Sequence, residues 1–385
     1  TAGISLFAVP KFKINDDGSV GEWNDVTTVG IEHKMGLKGS ATCTLSYGEN
    51  NDCYGWIIGE APGEDGKGQG LSQMFVMMNE ARLSTGMMAL SCAGEAYFNA
   101  RDYSKIRVQG NKLTDPKGPR VNIIEHEDVK RMLLHQKACT EAMRALIYKT
   151  YWYTDMTMAS SDPDEIKYYD DMFMINNPLC KAYPTEMAWG LVGEAIQCYG
   201  GYGYIEEYPV AQLARDVKIY SIWEGTTYIQ SMDLVGRKFN MEKGKPFMKW
   251  LTEISQFIEQ HKENENFKTE IKMLSDAFGA FSEILMMLRG KMKEGKISYL
   301  PLWATRIMMA MSMVYCGKLM MEQALVAQKA LNEVGDEHYD ANFYKGKIAS
   351  ARFYLLKEVP NIFAIKAAFE TADFTAVEIS PEVLG

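Results

Sequence analysis

The spacing of apolar residues changes once along this chain, near residues 65–71, and that change limits the fold more than any other feature. Before it, apolar residues come in short runs: Ile4 to Val9, Ala41 to Tyr47 and Tyr54 to Ile58. Turn-rich stretches such as Asn15-Asp16-Asp17-Gly18-Ser19 and Gly48-Glu49-Asn50-Asn51-Asp52 separate them, a pattern that predicts strands. From Leu71 the spacing is helical. One long helix is predicted from about Leu71 to Arg107, followed by a loop with Pro116, Gly118 and Pro119. The next helix starts near His126 and carries Val129, Met132, Leu133, Cys139, Met143, Leu146 and Ile147 at helical intervals. Ser160-Ser161-Asp162-Pro163 leads into a short helix, and a further one from about Pro184 to Tyr199 stops at Gly200-Gly201. The polar stretch from Asn240 to Pro246 reads as a linker. Beyond it, Phe247, Trp250, Leu251, Ile254, Phe257 and Ile258 mark one helical face. Ile271, Leu274, Phe278, Phe281, Leu285 and Leu288 alternate spacings of three and four, a seam for antiparallel helices. Two more helices are predicted near 302–333 and 340–358. The chain is therefore α+β and mostly α, divided into a β-rich part at 1–65, a helical domain at 66–240 and a helical extension at 241–385.

Composition removes several functions. A net charge of -9 argues against nucleic acid as the main partner. Seven cysteines, an odd number with no CxxC pair, argue against a disulfide framework and favour a reducing compartment. The five histidines are scattered; His126 and His135 share a helix but are nine residues apart, so no metal site is predicted. There is no GxSxG elbow. No apolar run reaches the ~18 residues that span a bilayer. Gly66, Gly68 and Gly70 lack the GK[ST] ending of a phosphate loop and read as a turn before a helix. Clusters among the 26 methionines, such as Met77-Met78, Met87-Met88 and Met308-Met309, read as core filler or the lining of an apolar tunnel. The strand at Ile4 to Val9 leads us to expect a further segment upstream, cleaved or carried on another chain.

One carboxylate stands out. Glu224 follows Tyr220, Ile222 and Trp223 and precedes Gly225. Apolar neighbours disfavour ionisation, so its pKa is expected to rise, which suits a general base. Gly225 leaves room for a substrate to approach the backbone. Arg107, before the Val108-Gln109-Gly110 turn, either complements a helix dipole or grips a pyrophosphate. Gln197, one turn before the glycine pair, and Arg215-Asp216 are open in the same way.

Together these motifs closely resemble the acyl-CoA dehydrogenases. The resemblance rests on Gln197-Cys198-Tyr199-Gly200-Gly201-Tyr202-Gly203-Tyr204, Tyr208-Pro209-Val210, Arg215-Asp216 and Ile222-Trp223-Glu224-Gly225-Thr226. It extends to Ile4-Ser5-Leu6-Phe7-Ala8-Val9-Pro10, Lys34-Met35-Gly36-Leu37-Lys38-Gly39-Ser40-Ala41-Thr42 and Gly68-Gln69-Gly70-Leu71. His126-Glu127-Asp128-Val129 and the stretch from Phe343 to Tyr354 are similar to the larger members with an extra helical domain, among them the methylmercaptopropionyl-CoA dehydrogenases.

The resemblance implies a fold: the remainder of a middle β-domain, then a four-helix-bundle-like domain, then an additional C-terminal bundle, with the N-terminal third missing. It implies FAD-dependent α,β-dehydrogenation of an acyl-CoA thioester to a trans-2-enoyl-CoA. Glu224 would be the base and an electron-transferring flavoprotein would take the electrons. Arg107 and Gln109 would reach the FAD pyrophosphate of a neighbouring subunit, and Gln197, Gly200 and Gly201 its adenosine end. Thr226 would lie near the flavin, and Arg82 would contact the CoA part of the substrate bound beside Gly225. A homodimer or tetramer follows, with a cytoplasmic location (the mitochondrial matrix in a eukaryote). Departures from the family pattern are Gln109 for a phenylalanine, Trp223 for a tyrosine, Tyr228 for a glutamine and Asn79 for an aspartate. An acyl-CoA oxidase-type offshoot, or a non-catalytic acyl-CoA-binding subunit, would carry the same motifs.

Overall fold

The predicted switch in period falls where a computed structural model changes from strands to helices; the structure describes residues 3–385. It divides into two compact units, one ending at Ala81 and the other spanning Arg82–Gly385.

Among the described residues of the first unit, six strands pair two by two, all antiparallel. They are β1 (Leu6–Ala8) with β6 (Trp56–Ile58), β2 (Phe12–Ile14) with β3 (Val20–Trp23), and β4 (Val26–Ile31) with β5 (Cys43–Tyr47). Only β1, β5 and β6 coincide with the sequence expectation; β2, β3 and β4 are additional. A buried polar knot joins the pairs. Asn24 donates from Nδ2 to the carbonyls of Pro10 and Tyr54, both at 2.8 Å, and its Oδ1 accepts from Tyr54 N–H at 2.9 Å. Next to it the Asp25 carboxylate accepts from Asn50 N–H at 2.7 Å. Phe7, Val20, Val29, Ile31 and Trp56 stay exposed on these strands. The Gly66–Gly70 stretch is the expected turn, with Gly70 N–H donating to Ile4 O at 3.1 Å.

Helix α1 (Gly70–Ile106) leads from there into the second unit, and α2 (Glu127–Ala159) starts one residue after His126, as expected. Where two helices were expected between Pro163 and Tyr199, there is one, α3 (Pro163–Tyr199), with Pro178 and Pro184 inside it. Its start is legible: Asp162 caps it through Asp164 N–H at 2.9 Å, with Pro163 in the first turn. Proline removes one hydrogen bond per site, a cost of roughly 3 kcal/mol. Burial on nearly all sides, from Ile175 to Thr185, holds the helix together through both.

Shorter elements follow: α4 (Pro209–Val217), α5 (Thr227–Met232) and a π-turn at Asp233–Arg237. The expected linker is a kinked turn in which Glu242 (φ 47°) and Lys243 (φ 59°) are left-handed. Then come α6 (Lys245–His261), α7 (Lys268–Lys293), α8 (Tyr299–Val334), α9 (Ala341–Phe353), a π-turn at Tyr354–Glu358, α10 (Asn361–Glu370) and α11 (Thr375–Glu378). Helix α8 is apolar on most sides because it is the centre of this unit; Met308, Met311, Met320 and Met321 are fully buried there. Met77 and Met88 are exposed, so the core-filler reading holds for the α8 cluster and not for those two. Buried polar contacts bind α2 and α3 to the extension. Tyr153 and Tyr315 hydroxyls meet at 3.1 Å, Tyr183 and Tyr354 at 2.7 Å, and Trp250 Nε1–H donates to Asn176 Oδ1 at 3.2 Å. All seven cysteines are free. Among the described residues no helix is long and apolar enough to cross a membrane.

Candidate functional site

Five residues selected from sequence line one cavity of about 820 Å³: Arg107, Gln109, Gln197, Gly200 and Gly201. One wall is the turn that ends α1. Gln109 N–H donates to Val121 O at 3.0 Å, Val121 N–H to Gly110 O at 2.9 Å, and Ile123 N–H to Arg107 O at 2.8 Å. His126 Nε2–H donates to Gln109 O at 2.7 Å and holds the turn against the start of α2. Arg107 donates from Nη2 to Gln109 Oε1 at 3.2 Å, and its guanidinium sits 5.9 Å from the Tyr202 ring centroid. The other wall is the end of α3, where Gly200 (φ 61°) stops the helix. Tyr103 and Tyr199 stack at 4.2 Å and Tyr199 Oη–H donates to Asn99 O at 3.2 Å, so the two walls are fixed to each other. A cation, two amides, an exposed glycine backbone and aromatic faces suit a phosphate-bearing aromatic ligand.

Glu224, Gly225, Thr226 and Arg82 do not line this cavity. Glu224 is half-buried although its neighbours in sequence are apolar, because its loop runs at the surface between Ser221 and α5. It is also left-handed, at φ 53°, a conformation that costs a non-glycine residue of order 1–3 kcal/mol. The neighbouring structure imposes it. Gln230, fully buried on α5, donates from Nε2 to Gly225 O at 3.3 Å and to Glu224 O at 3.5 Å. Gly225 is at φ 85°, and a Cβ there would lie 2.5 Å from Gln230 Nε2. Gly225→Ala is therefore expected to cost about 1–3 kcal/mol, seen as a lowered unfolding midpoint. Thr226 is the N-cap of α5, its Oγ1 accepting from Ile229 N–H at 3.3 Å. Thr227 Oγ1–H donates to Glu186 Oε1 at 2.5 Å and anchors the loop to α3.

Charges gather behind this loop. Arg82, expected on the CoA part of a substrate, is buried and ion-paired with Asp233 at 3.5 Å. The same aspartate holds Arg237 at 2.6 Å and Lys238 at 3.7 Å. Lys181 on α3 is fully buried, and its Nζ has no hydrogen-bond partner among the described residues. Burial brings its ammonium down to about 8, with Arg82 pushing the same way and Glu186 and Glu224 opposing. Arg82 and Lys181 thus both share an electrostatic neighbourhood with Glu224.

Several of these residues escaped sequence reasoning. Tyr199 and Tyr202 flank the glycine pair that drew attention, and Gln230 lies one turn beyond Thr226. His126, Lys181 and Asp233 carry no local signal, since their partners are distant in sequence.

The fold is that of solved structures of one class. A structure described as Caenorhabditis elegans ACDH-11 in complex with C11-CoA matches with a TM-score of 0.71 at 21% identity, covering 91% of this chain and 56% of that one. The family model for the acyl-CoA dehydrogenase C-terminal domain matches residues 68–238, and that for the acetyl-CoA dehydrogenase C-terminal like domain matches 250–380. The chain belongs to the acyl-CoA dehydrogenase family. It is 56% identical over 384 residues to a butyryl-CoA dehydrogenase of Syntrophomonas wolfei, covering 100% of this chain and 62% of the relative. It is 37% identical over 244 residues to a 3-methylmercaptopropionyl-CoA dehydrogenase of Ruegeria pomeroyi, covering 63% of this chain and 40% of that protein. The chain thus spans about 62% of the length of the first of these relatives.

Proposed function

We propose that this chain works as part of an FAD-dependent acyl-CoA dehydrogenase that converts an acyl-CoA thioester to a trans-2-enoyl-CoA. The observation that carries this reading is the convergence of Arg107, Gln109, Gln197, Gly200 and Gly201 on one cavity. That lining fits FAD: a guanidinium for the pyrophosphate, side-chain amides and a side-chain-free glycine pair for the adenosine end, and tyrosine faces for the adenine. These residues would serve the FAD of a neighbouring copy, which makes the enzyme a homodimer or tetramer. When bound, FAD supplies the acceptor for the hydride that leaves the β-carbon.

Glu224 would remove the α-proton. Its own backbone N–H would donate to the thioester carbonyl oxygen as negative charge builds there. The left-handed turn at Glu224 and Gly225, held from behind by Gln230, supports that double use of one residue. Arg82, buried behind the same loop and paired with Asp233, would act on the substrate through its charge, which also reaches Glu224. We divide the chain into a β part at 1–65, a catalytic helical domain at 66–240 and an extension at 241–385. The exposed apolar residues of the β part support a further segment or companion chain that covers them. Electrons would go to an electron-transferring flavoprotein in a reducing compartment such as the cytoplasm. The butyryl-CoA dehydrogenase relatives make a short straight-chain thioester the first substrate to test.

The test is spectroscopic. The intact protein is expected to purify yellow and to bleach on anaerobic addition of butyryl-CoA. A colourless protein that takes up no FAD would refute the reading. Arg107→Ala removes a charge-assisted contact of ~1.5–3 kcal/mol and is expected to weaken FAD retention about 10- to 100-fold, measured by dialysis.

A further inference from the structure

Away from the cavity, three side chains from two distant stretches of chain meet. His135 and Cys139 lie one turn apart on α2, and Glu358 ends the π-turn after α9. One imidazole nitrogen, the Cys139 Sγ and a Glu358 carboxylate oxygen all lie within 4.8 Å of one another. Cys139 is fully buried, whereas the His135 and Glu358 side chains keep 19% and 15% of their surface, so solvent reaches one side. The Nε2 of His135 faces Glu358 at 3.1 Å, and its Nδ1–H donates to Glu194 at 2.7 Å. Glu194 is itself held by Arg131 at 3.5 Å.

We propose that Nε2 of His135, Sγ of Cys139 and the Glu358 carboxylate bind one divalent transition-metal ion of the zinc class, with water in the fourth position. Nitrogen, sulfur and oxygen donors together suit zinc, whose bonds of about 2.0–2.3 Å to such atoms place neighbouring ligands well inside the observed spread. The Nδ1–H···Glu194 hydrogen bond is the feature that lifts this above a chance cluster. A metal-binding imidazole characteristically gives its second nitrogen to a carboxylate, which fixes the tautomer and aims the free nitrogen at the ion. The geometry already has that arrangement, with Nε2 directed at Glu358 and not at Glu194.

Without metal the same groups form an ion triad, with the imidazole between two glutamates. Binding would release two protons, one from the Cys139 thiol and one from Nε2. The ion would tie α2 to the helical extension through Glu358. Sequence reasoning missed the site because Glu358 lies 219 residues beyond Cys139.

The experiment strips the intact, untagged protein with chelator, dialyses it against zinc and counts zinc per chain, with X-ray absorption at the zinc edge. One retained zinc with a sulfur neighbour at about 2.3 Å is expected. Cys139→Ser and His135→Asn should lose that equivalent, and Glu194→Gln should weaken it about 10- to 100-fold. Wild-type protein that retains no zinc, or retains it without a sulfur neighbour, overturns the proposal; these two readings need no variant to fold. Flavin content and turnover are separate measurements, so failure here leaves the dehydrogenase reading standing.

Discussion

Glu224→Gln is expected to leave the protein folded and yellow while turnover falls by about 10²- to 10⁴-fold, the usual contribution of a positioned general base. An amide has nearly the same shape as the carboxylate but cannot take up the α-proton of a thioester. The loop should survive the change, because Gln230 holds it through the carbonyls of Glu224 and Gly225 and not through the glutamate side chain. The cavity at Arg107 should survive too, since Glu224 does not line it. Two readouts separate chemistry from damage: the flavin spectrum of the resting variant, and its reduction on mixing with butyryl-CoA in a single turnover. The expected result is an unchanged spectrum that fails to bleach. A variant that bleaches at a near-normal rate would remove Glu224 from the mechanism, and one that loses flavin would show a positioning role. A perturbed neighbourhood would also register. Arg82 and Lys181 both interact with this carboxylate, so a large fall in stability would mean that their charges depend on it.

The sequence was most legible where one period ran long. Helices α2, α6 and α7 follow from their apolar spacing, because each turns an apolar face to neighbours that need it. The prediction broke at Pro184, since proline ends an isolated helix but not one enclosed by packing. It also missed β2, β3 and β4. Strands β2 and β3 are short, β4 carries Thr27, Thr28 and Gly30 among its apolar residues, and the turn between β3 and β4 is held by the Asn24 and Asp25 side chains, whose partners lie 14 to 30 residues away. The site divides in the same manner. Arg107, Gln197 and the glycine pair were readable as candidates because helix-stop chemistry places them beside turns. Their meeting in one cavity depends on α1 and α3 ending side by side, which only the fold determines. The strained backbone of Glu224 was out of reach, because glutamate has no preference for φ 53° and Gln230 imposes it from outside.

Gly86→Ala carries the largest expected loss of stability. Gly86 sits in the middle of α1, where alanine would normally be favoured by ~1 kcal/mol. Here a Cβ would lie 1.9 Å from the Cys180 carbonyl oxygen and 2.9 Å from its carbon, so the new methyl meets backbone and not a side chain that could swing away. Neither helix can yield readily. Helix α3 is pinned to α2 at the same level, with Cys180 Sγ–H donating to Thr150 Oγ1 at 3.1 Å, and Thr150 donates in turn to Leu146 O at 2.8 Å. Overpacking costs about 1–3 kcal/mol where neighbours can shift, and rigid backbone on both sides puts this site at the upper end or beyond. Gly279→Ala supplies the opposite sign. Gly279 also lies inside a helix, α7, but a Cβ there meets nothing within 4 Å, so that variant should gain up to ~1 kcal/mol. Chemical denaturation of the two variants beside wild type should therefore move the midpoint in opposite directions. If Gly86→Ala unfolds with or after wild type, the close crossing of α1 and α3 is wrong, and with it the placement of the Arg107 turn beside the end of α3.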